Sequence, residues 1–228
     1  MARPDGVGIA IAPHWRIVPT LGADEGDEVR LVIDPGPGFG DGTHETTQLC
    51  LQAIAALARR SGPWRMLDFG SGSGILAIGA AKLRAVVDAV EIDAAAGAHG
   101  ERNARANCVD DQIRHARTLE GTRGPFDLVV ANILRAVLLE FADALVARLA
   151  PGATLVLSGL VSTDVPQVSV RYASLLGQEQ PEVYERGDWR ALAWRRVLLK
   201  PVLDLILAAA FEASAFHYPA LCASTPTG

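Results

Sequence analysis

The sequence predicts an α/β protein in which helices flank a mostly parallel, seven-stranded sheet that ends in a C-terminal antiparallel hairpin. Strand-like and helix-like segments alternate at short spacing, which is the pattern of an open α/β sheet. One apolar strand runs into three alternating glycines, Gly70, Gly72 and Gly74, and then into a helix. The chain has 228 residues, half of them hydrophobic, which is enough for one main core.

Residues 1–60 are predicted to add two short peripheral strands, a glycine-rich loop and a lead-in helix to the main domain. Apolar runs on both sides of an acidic, glycine-containing turn indicate the two strands. The loop after them has too many Gly and Pro residues for a regular element. In chain order these elements are a strand at 7–18, the turn at 22–28, a strand at 29–34, the loop at 34–42 and a helix at 43–60.

Residues 61–200 are predicted to form the core, and residues 201–228 a C-terminal helix, at 202–215, with a flexible tail. The first three strands of the core and their two helices make a βαβαβ half-sheet. Gly187 and Asp188 are typical of the turn of a closing hairpin. The predicted elements are strand 66–70, helix 74–84, strand 86–92, helix 94–107, strands 112–118 and 126–131, helix 134–149, strand 154–160, helix 162–176 and hairpin strands 179–187 and 189–199.

Composition excludes several classes of function. A net charge of −5 argues against sequence-independent nucleic-acid binding, which depends on clustered Lys and Arg. The three cysteines, Cys50, Cys108 and Cys222, form no CxxC pair and have no zinc-like His spacing, so we expect no metal site. The N-terminus lacks a basic region followed by an apolar run, and no apolar stretch approaches the roughly 20 residues of a membrane span. We therefore expect a cytoplasmic protein.

The spacing of the glycines distinguishes between two nucleoside cofactors. Dinucleotide-binding proteins use GxGxxG to hold a pyrophosphate, whereas this chain has GxGxG from Gly70 to Gly74. S-adenosylmethionine has no phosphate, and it needs only a close approach of the backbone, which residues without a Cβ allow. A carboxylate that ends the second core strand can accept hydrogen bonds from both ribose hydroxyls. Glu91 has that position, and Asp93 is the weaker candidate.

Three motifs resemble the bacterial ribosomal protein L11 methyltransferase family, often called PrmA. They are the loop DPGPGFGDGTHETT at 34–47, the glycine core DFGSGSGIL at 68–76 and the sequence ANIL at 131–134. The similarity covers about residues 13–198, and the first and last motifs are specific to the family. It implies a Rossmann-like class I methyltransferase that uses S-adenosylmethionine to methylate amino groups of a protein, either lysine or the N-terminal amine.

The resemblance also implies which residues contact the cofactor. By analogy, the family's cofactor contacts fall on Thr47, Gly70, Glu91 and Asn132, and the glycine motif adds Asp68, Gly72 and Gly74 to the candidates. Glu91 stands where the family usually has Asp, and it keeps both acceptor oxygens. Asp41 stands where Thr is common and Glu45 where Pro is common, so these changes lie at the mouth of the site.

The catalytic role has two candidates, Asn132 and His44. An amine acceptor must be neutral to attack, and an apolar pocket lowers the pKa of a lysine. The amide of Asn132, at the carboxyl edge of the sheet, can hold either the cofactor or the acceptor nitrogen. His44 is either a general base or a histidine that orders its loop. No role is assigned to the other histidines, which are His14, His99, His115 and His217.

The acceptor is the part of the function that the resemblance defines least. Family members carry a separate substrate-recognition domain before the segment at which this chain begins, and we expect that domain to be missing here. The leading hypothesis is methylation of ribosomal protein L11 or a similar protein. The alternatives are methylation of a small molecule, a truncated cofactor-binding module without catalysis, and a nicotinamide-dependent oxidoreductase.

Overall fold

A seven-stranded sheet organises the described part of the chain. A computed structural model describes residues 9–11, 15–18, 29–57, 63–177 and 180–196. The strands are β1 Ile9–Ile11, β2 Trp15–Val18, β3 Val29–Val32, β4 Trp64–Phe69, β5 Ala85–Val90, β6 Ile113–Ala116, β7 Phe126–Asn132, β8 Leu149–Val161, β9 Glu182–Arg186 and β10 Trp189–Arg195. The helices are α1 Glu45–Leu57, α2 Ile75–Lys82, α3 Ala94–Ala106, α4 Arg135–Glu140, α5 Ala142–Ala147 and α6 Val165–Leu176, with 3₁₀ turns at Asp110–Gln112 and Leu119–Gly121.

The order of the strands confirms the predicted fold class. The large sheet runs β6-β5-β4-β7-β8-β10-β9. Its first five strands pair in parallel, and β10 pairs antiparallel with both β8 and β9. β9 and β10 form the closing hairpin, and Gly187 in its turn has φ +55°. The carboxyl ends of β4, β5 and β7 therefore meet at one edge, where open α/β sheets bind ligands.

The N-terminal strands differ from the prediction in two respects. The segment 7–18 contains two strands, β1 and β2, which pair antiparallel, and β3 lies parallel to β2. The strands are also not peripheral, since Trp15, Ile17 and Leu31 are buried in the core. The indole N–H of Trp15 donates to the carbonyl of Leu51 in α1 at 3.1 Å. An aromatic residue with a satisfied polar atom thus fixes this small sheet to the main domain.

Two other predicted elements differ from the structure by more than a few residues at their ends. The helix expected at 134–149 is interrupted at Phe141, where φ −93° and ψ 10° leave the helical region. The Phe141 ring lies against Phe69, with 5.1 Å between the ring centroids. The strand expected at 154–160 extends over 149–161, because β7 and β10 pair with its two sides. The helix predicted at 202–215 and the rest of the tail lie outside the described residues.

The core has two parts, one on each face of the sheet. Along β4 and β7, Met66 and Leu128 belong to one cluster and Leu67 and Val129 to the other, as the alternation of side chains along a strand requires. The first cluster packs against α1 and α2, and the second against α4, α5 and α6. Each large buried side chain contributes about 1.5–3 kcal/mol to folding. Among the described residues, no helix is both long and apolar enough to cross a membrane.

Candidate active site

A cavity of about 830 Å³ opens at the carboxyl edge of the sheet. Several separate parts of the chain line it: the loop after β3 with the start of α1, the ends of β4 and β5, the start of α3, the segments after β6 and β7, the end of β8 and the hairpin. Its lining includes Pro37, Phe39, His44, Thr46, Phe69, Gly70, Gly72, Val90, Glu91, Ile92, Asp93, Ala96, Arg117, Thr118, Leu119, Glu120, Asn132, Ile133, Leu134, Val137, Phe141, Gly159 and Trp189.

The backbone of the glycine motif forms one wall of this cavity. The N–H groups of Gly70 and Ser71 both donate to the carbonyl of Val90, at 2.9 and 3.0 Å. Gly70, Gly72 and Gly74 have φ of +80°, +54° and +80°. Residues with a Cβ rarely adopt this left-handed conformation, so three closely spaced glycines are required to make the turn from β4 into α2.

The space beside each glycine is filled by protein. A Cβ on Gly72 would lie 2.5 Å from the carbonyl oxygen of Phe39, and one on Gly70 would overlap the Ile133 side chain. A Cβ on Gly74 would lie 3.2 Å from Cα of Gly100. The missing Cβ atoms therefore let two loops and helix α3 pack on the motif. The expected reason for the glycines was the approach of a ligand. Of the three glycines of the motif, Gly70 and Gly72 line the cavity and Gly74 does not.

Glu91 connects the end of β5 to the glycine motif. Its Oε2 accepts the N–H of Gly72 at 2.9 Å, and its Oε1 accepts the N–H of Asp93 at 2.9 Å. Each carboxylate oxygen keeps a second lone pair for another donor. Asp93 caps α3, since its side chain accepts the N–H of Ala96 at 2.7 Å. Glu91 is therefore the better placed of the two carboxylates to bind a diol in the cavity.

Asn132 and His44 also line the cavity. Asn132 is the last residue of β7 and is half-buried. His44 Nδ1 lies 3.3 Å from the amide nitrogen of Thr46 and 2.8 Å from its hydroxyl. Because a backbone N–H can only donate, Nδ1 accepts, and the neutral ring carries its proton on Nε2. The Nδ1 lone pair is then engaged by Thr46, as in a histidine that orders its loop, and a catalytic role for His44 stays a prediction.

The other three candidates, Thr47, Asp68 and Gly74, lie behind the cavity wall. Gly74 caps α2. Thr47 and Asp68 are buried, and Thr47 Oγ1 and Asp68 Oδ1 have no hydrogen-bond partner among the described residues. Asp68 Oδ2 accepts the N–H of Ala77 at 3.1 Å. Burial is the main cause that raises the pKa of Asp68 to about 7, and the negative charge of Glu91 raises it further.

Aromatic residues that the sequence reasoning did not assign to the site lie at its mouth. The His44 ring contacts Phe39 and Trp189 edge-on, with 5.3 and 4.8 Å between ring centroids. Phe39 lies within the glycine-rich loop, which was the available signal for it, whereas nothing in the local sequence of Trp189 indicates a site. Among the described residues, no group of three or more His, Cys, Asp or Glu side chains is arranged to hold a metal ion.

Comparison with known proteins decides the family. The family model described as ribosomal protein L11 methyltransferase (PrmA) matches residues 4–197. The chain belongs to the PrmA family. The ribosomal protein L11 methyltransferase of Trichlorobacter lovleyi is 39% identical over 207 residues, which are 86% of this chain and 65% of that protein. The protein of the same name from Syntrophotalea carbinolica is 41% identical over 192 residues, or 83% of this chain and 61% of that protein.

Solved structures agree with this membership. The crystal structure of the ribosomal protein L11 methylase of Lactobacillus delbrueckii subsp. bulgaricus matches with a TM-score of 0.74 and 32% identity, covering 84% of this chain and all of that one. A Thermus thermophilus 16S rRNA methyltransferase, with a TM-score of 0.59 at 21% identity, shares the fold. This PrmA-family chain spans about three fifths of the length of the curated relatives it matches, 61% and 65% for the two above.

Proposed function

We propose that this chain is an S-adenosylmethionine-dependent methyltransferase that transfers methyl groups to amino groups of a protein, with ribosomal protein L11 as the leading substrate. The observation that supports it best is the position of Glu91, which lies in the cavity wall while it braces the glycine motif. Membership of the PrmA family supports the choice of substrate. With a ribosomal protein as substrate, the proposed activity is cytoplasmic.

The residues of the cavity fit a nucleoside cofactor. Glu91 presents carboxylate oxygens that suit the two ribose hydroxyls. Apolar side chains also line the cavity, and a flat adenine ring suits such a surface. These side chains are Phe69, Val90, Leu119, Val137 and Phe141. When bound, S-adenosylmethionine supplies an electrophilic methyl group on its sulfonium.

The mouth of the cavity suits an amine acceptor. Asn132 offers an amide oxygen that can accept a hydrogen bond from an amine nitrogen and orient its lone pair. Trp189, His44 and Phe39 surround the approach with aromatic surface, which excludes water and favours the neutral form of a lysine. Orientation of this kind contributes on the order of 7–11 kcal/mol to lowering a barrier between two reactants. The residues here position and desolvate the amine, and none of them has to act as a strong base.

Methyl-labelled S-adenosylmethionine tests the proposal. The label is followed into purified ribosomal protein L11 and into a cell extract, with Glu91→Ala as the impaired variant and Glu101→Ala as the control. Glu101 lies on α3, where its carboxylate is 3.8 Å from the Arg105 guanidinium. Label in L11 that Glu91→Ala reduces supports the proposal.

Other results would redirect or reject it. Label only in other proteins of the extract keeps the chemistry and rejects L11, and label only in small molecules selects the metabolite alternative. Binding of S-adenosylhomocysteine without any transfer identifies a non-catalytic module. Binding of NAD together with indifference to S-adenosylhomocysteine rejects the proposed cofactor.

A further inference from the structure

Helix α3 carries a buried polar stripe on the side that faces the glycine-rich loop. His99, Asn103 and Asn107 follow one another at intervals of four residues, so they share one face of the helix and of its last turn. All three are buried. Burial of polar side chains is unfavourable unless each finds a partner, so their hydrogen bonds indicate what the stripe holds.

The two asparagines bind the end of β3, the start of the loop and the glycine motif. Asn107 accepts the N–H of Val32 at 2.9 Å and donates to its carbonyl at 2.7 Å, as a neighbouring strand would. Asn103 Oδ1 accepts the N–H of Asp34 at 3.1 Å, and Asn103 Nδ2 donates to the carbonyl of Ser73 at 2.9 Å. Asn103 thus connects the loop to the glycine motif directly.

His99 binds the next part of the loop. Its Nε2 lies 2.9 Å from the carbonyl oxygen of Asp34, and its Nδ1 lies 3.2 Å from the amide nitrogen of Gly38. A carbonyl can only accept and an amide N–H can only donate, so Nε2 donates and Nδ1 accepts. Asn103 Nδ2 also lies 3.2 Å from Nε2, but this amide nitrogen donates to the Ser73 carbonyl, and the Asp34 carbonyl at 2.9 Å requires a donor on Nε2. Together the contacts select the neutral tautomer with the proton on Nε2. A Cβ on Gly36 would lie 2.5 Å from Nε2, so the loop runs tightly over the ring.

The loop that His99 holds also contacts the glycine motif. The N–H of Ser73 donates to the carbonyl of Phe39 at 2.9 Å, and the Ser73 hydroxyl donates to the carbonyl of Gly40. Gly38 packs on the backbone of Gly72, since a Cβ there would lie 2.6 Å from the Gly72 carbonyl carbon. The Phe39 side chain then stands in the cavity lining.

We propose that His99 is a positioning residue for the candidate active site, which fixes the loop 34–40 on the glycine motif in its neutral, Nε2-protonated form. The proposal rests on the proposed function for its consequence, which is that S-adenosylmethionine binds to a cavity whose loop is already in place. His99 touches neither the cavity nor the reacting atoms. It acts through the carbonyl of Asp34 and the N–H of Gly38.

Three variants test this role by binding of S-adenosylhomocysteine in calorimetry. His99→Phe keeps a ring of similar size and removes both hydrogen bonds, so its dissociation constant is expected to rise about ten-fold or more. His99→Gln supplies one donor and one acceptor and is expected to recover most of that loss. His115→Phe, a half-buried histidine on β6, is the control and is expected to match wild type. If all three variants bind S-adenosylhomocysteine with the dissociation constant of wild type, the proposal is overturned.

The imidazole ¹⁵N spectrum of wild-type protein gives a second test that requires neither a variant nor a ligand. The expected spectrum shows a protonated Nε2 and an unprotonated, hydrogen-bonded Nδ1 for His99. A proton on Nδ1, or on both nitrogens at neutral pH, would overturn the assignment even if His99→Phe fails to fold. If wild type binds no S-adenosylhomocysteine, the proposed function fails, whereas the spectrum still decides the state of His99.

Discussion

The floor and the mouth of the cavity are built in different ways. The floor comes from the short segments 68–74 and 90–93, and backbone hydrogen bonds to Val90 together with the Glu91 carboxylate fix its shape. The mouth is assembled from side chains that are far apart in the chain. It also exposes apolar surface, since Phe39 is 57% and Leu134 75% accessible.

This difference separates binding of the cofactor from choice of the acceptor. The glycines with positive φ and the hydrogen-bonded backbone groups allow the floor few alternative conformations. Such a rigid surface suits a cofactor that is the same in every reaction. Exposed apolar side chains at the mouth mark a surface that contacts another molecule. Substitutions in the floor should therefore change the affinity for the cofactor, and substitutions at the mouth should change the use of the acceptor.

Gly72→Val should produce the largest effect on the floor. The valine would require φ +54°, and its Cβ would meet the Phe39 carbonyl oxygen at 2.5 Å, so the loop or the motif has to move. We expect binding of S-adenosylhomocysteine to weaken by about two orders of magnitude or to be lost, at roughly 1–3 kcal/mol for the strain alone. Calorimetric titration measures it.

Gly187→Val is the matched control for that substitution. Gly187 has φ +55°, but within the described part of the chain no atom beyond its two neighbours lies within 4 Å of its Cβ position, so this variant carries the strain without the collision. It should bind S-adenosylhomocysteine as wild type does. If both variants lose binding equally, backbone strain is the cause and the contact between Gly72 and Phe39 is irrelevant to the floor.

Glu91→Ala should produce the next largest effect. The substitution removes the acceptors of the Gly72 and Asp93 N–H groups, together with the lone pairs that we assign to the ribose. Lost hydrogen bonds to a charged group correspond to about 1–3 kcal/mol, so the dissociation constant of S-adenosylhomocysteine should rise roughly 5- to 150-fold. Glu101→Ala should leave it unchanged, and an unchanged constant for Glu91→Ala would remove Glu91 from the site.

The residues of the floor could be predicted from the sequence because short, local motifs define them. A strand, alternating glycines and the acid at the end of the next strand were enough to place Gly70, Gly72 and Glu91 in one wall. The partner of Gly72 was out of reach, since Phe39 meets it only after the loop has folded back. Trp189 was missed for the same reason: only the antiparallel pairing of β10 with β8 brings it to His44.

Asp68→Asn tests the protonation of the Asp68 carboxyl, which is buried behind the floor of the cavity. Burial raises the pKa of Asp68 to about 7, so the folded protein retains a proton that the unfolded chain has already released. Its stability should therefore fall as the pH rises from ~5 to ~7, and Asp68→Asn, which keeps an acceptor for Ala77, should gain on the order of 2 kcal/mol relative to wild type over that range. Urea unfolding at both pH values measures the difference.

Asp127→Asn is the control for this pH dependence. Asp127 is half-buried and accepts the N–H of Arg65 at 2.9 Å. Its substitution should lower stability without removing the dependence on pH between ~5 and ~7. Parallel pH curves for wild type and Asp68→Asn would show that Asp68 is ionised in the folded protein, and the floor would then bury a charge.

Trp189→Ala should produce the smallest effect, and we expect that effect on the use of the acceptor and not on the binding of the cofactor. Trp189 contacts His44 edge-on, so we expect removal of its ring to open the approach of the acceptor without changing the floor. Aromatic contacts of this kind contribute about 0.5–1.5 kcal/mol, so kcat/KM for the methylated protein should fall roughly 2- to 12-fold. The dissociation constant of S-adenosylhomocysteine should stay at the wild-type value, and Trp189→Phe should restore most of the activity. The opposite result would be weaker binding of S-adenosylhomocysteine by Trp189→Ala with an unchanged KM for the acceptor. In that case Trp189 contributes to the cofactor site, and the mouth and the floor are not separate.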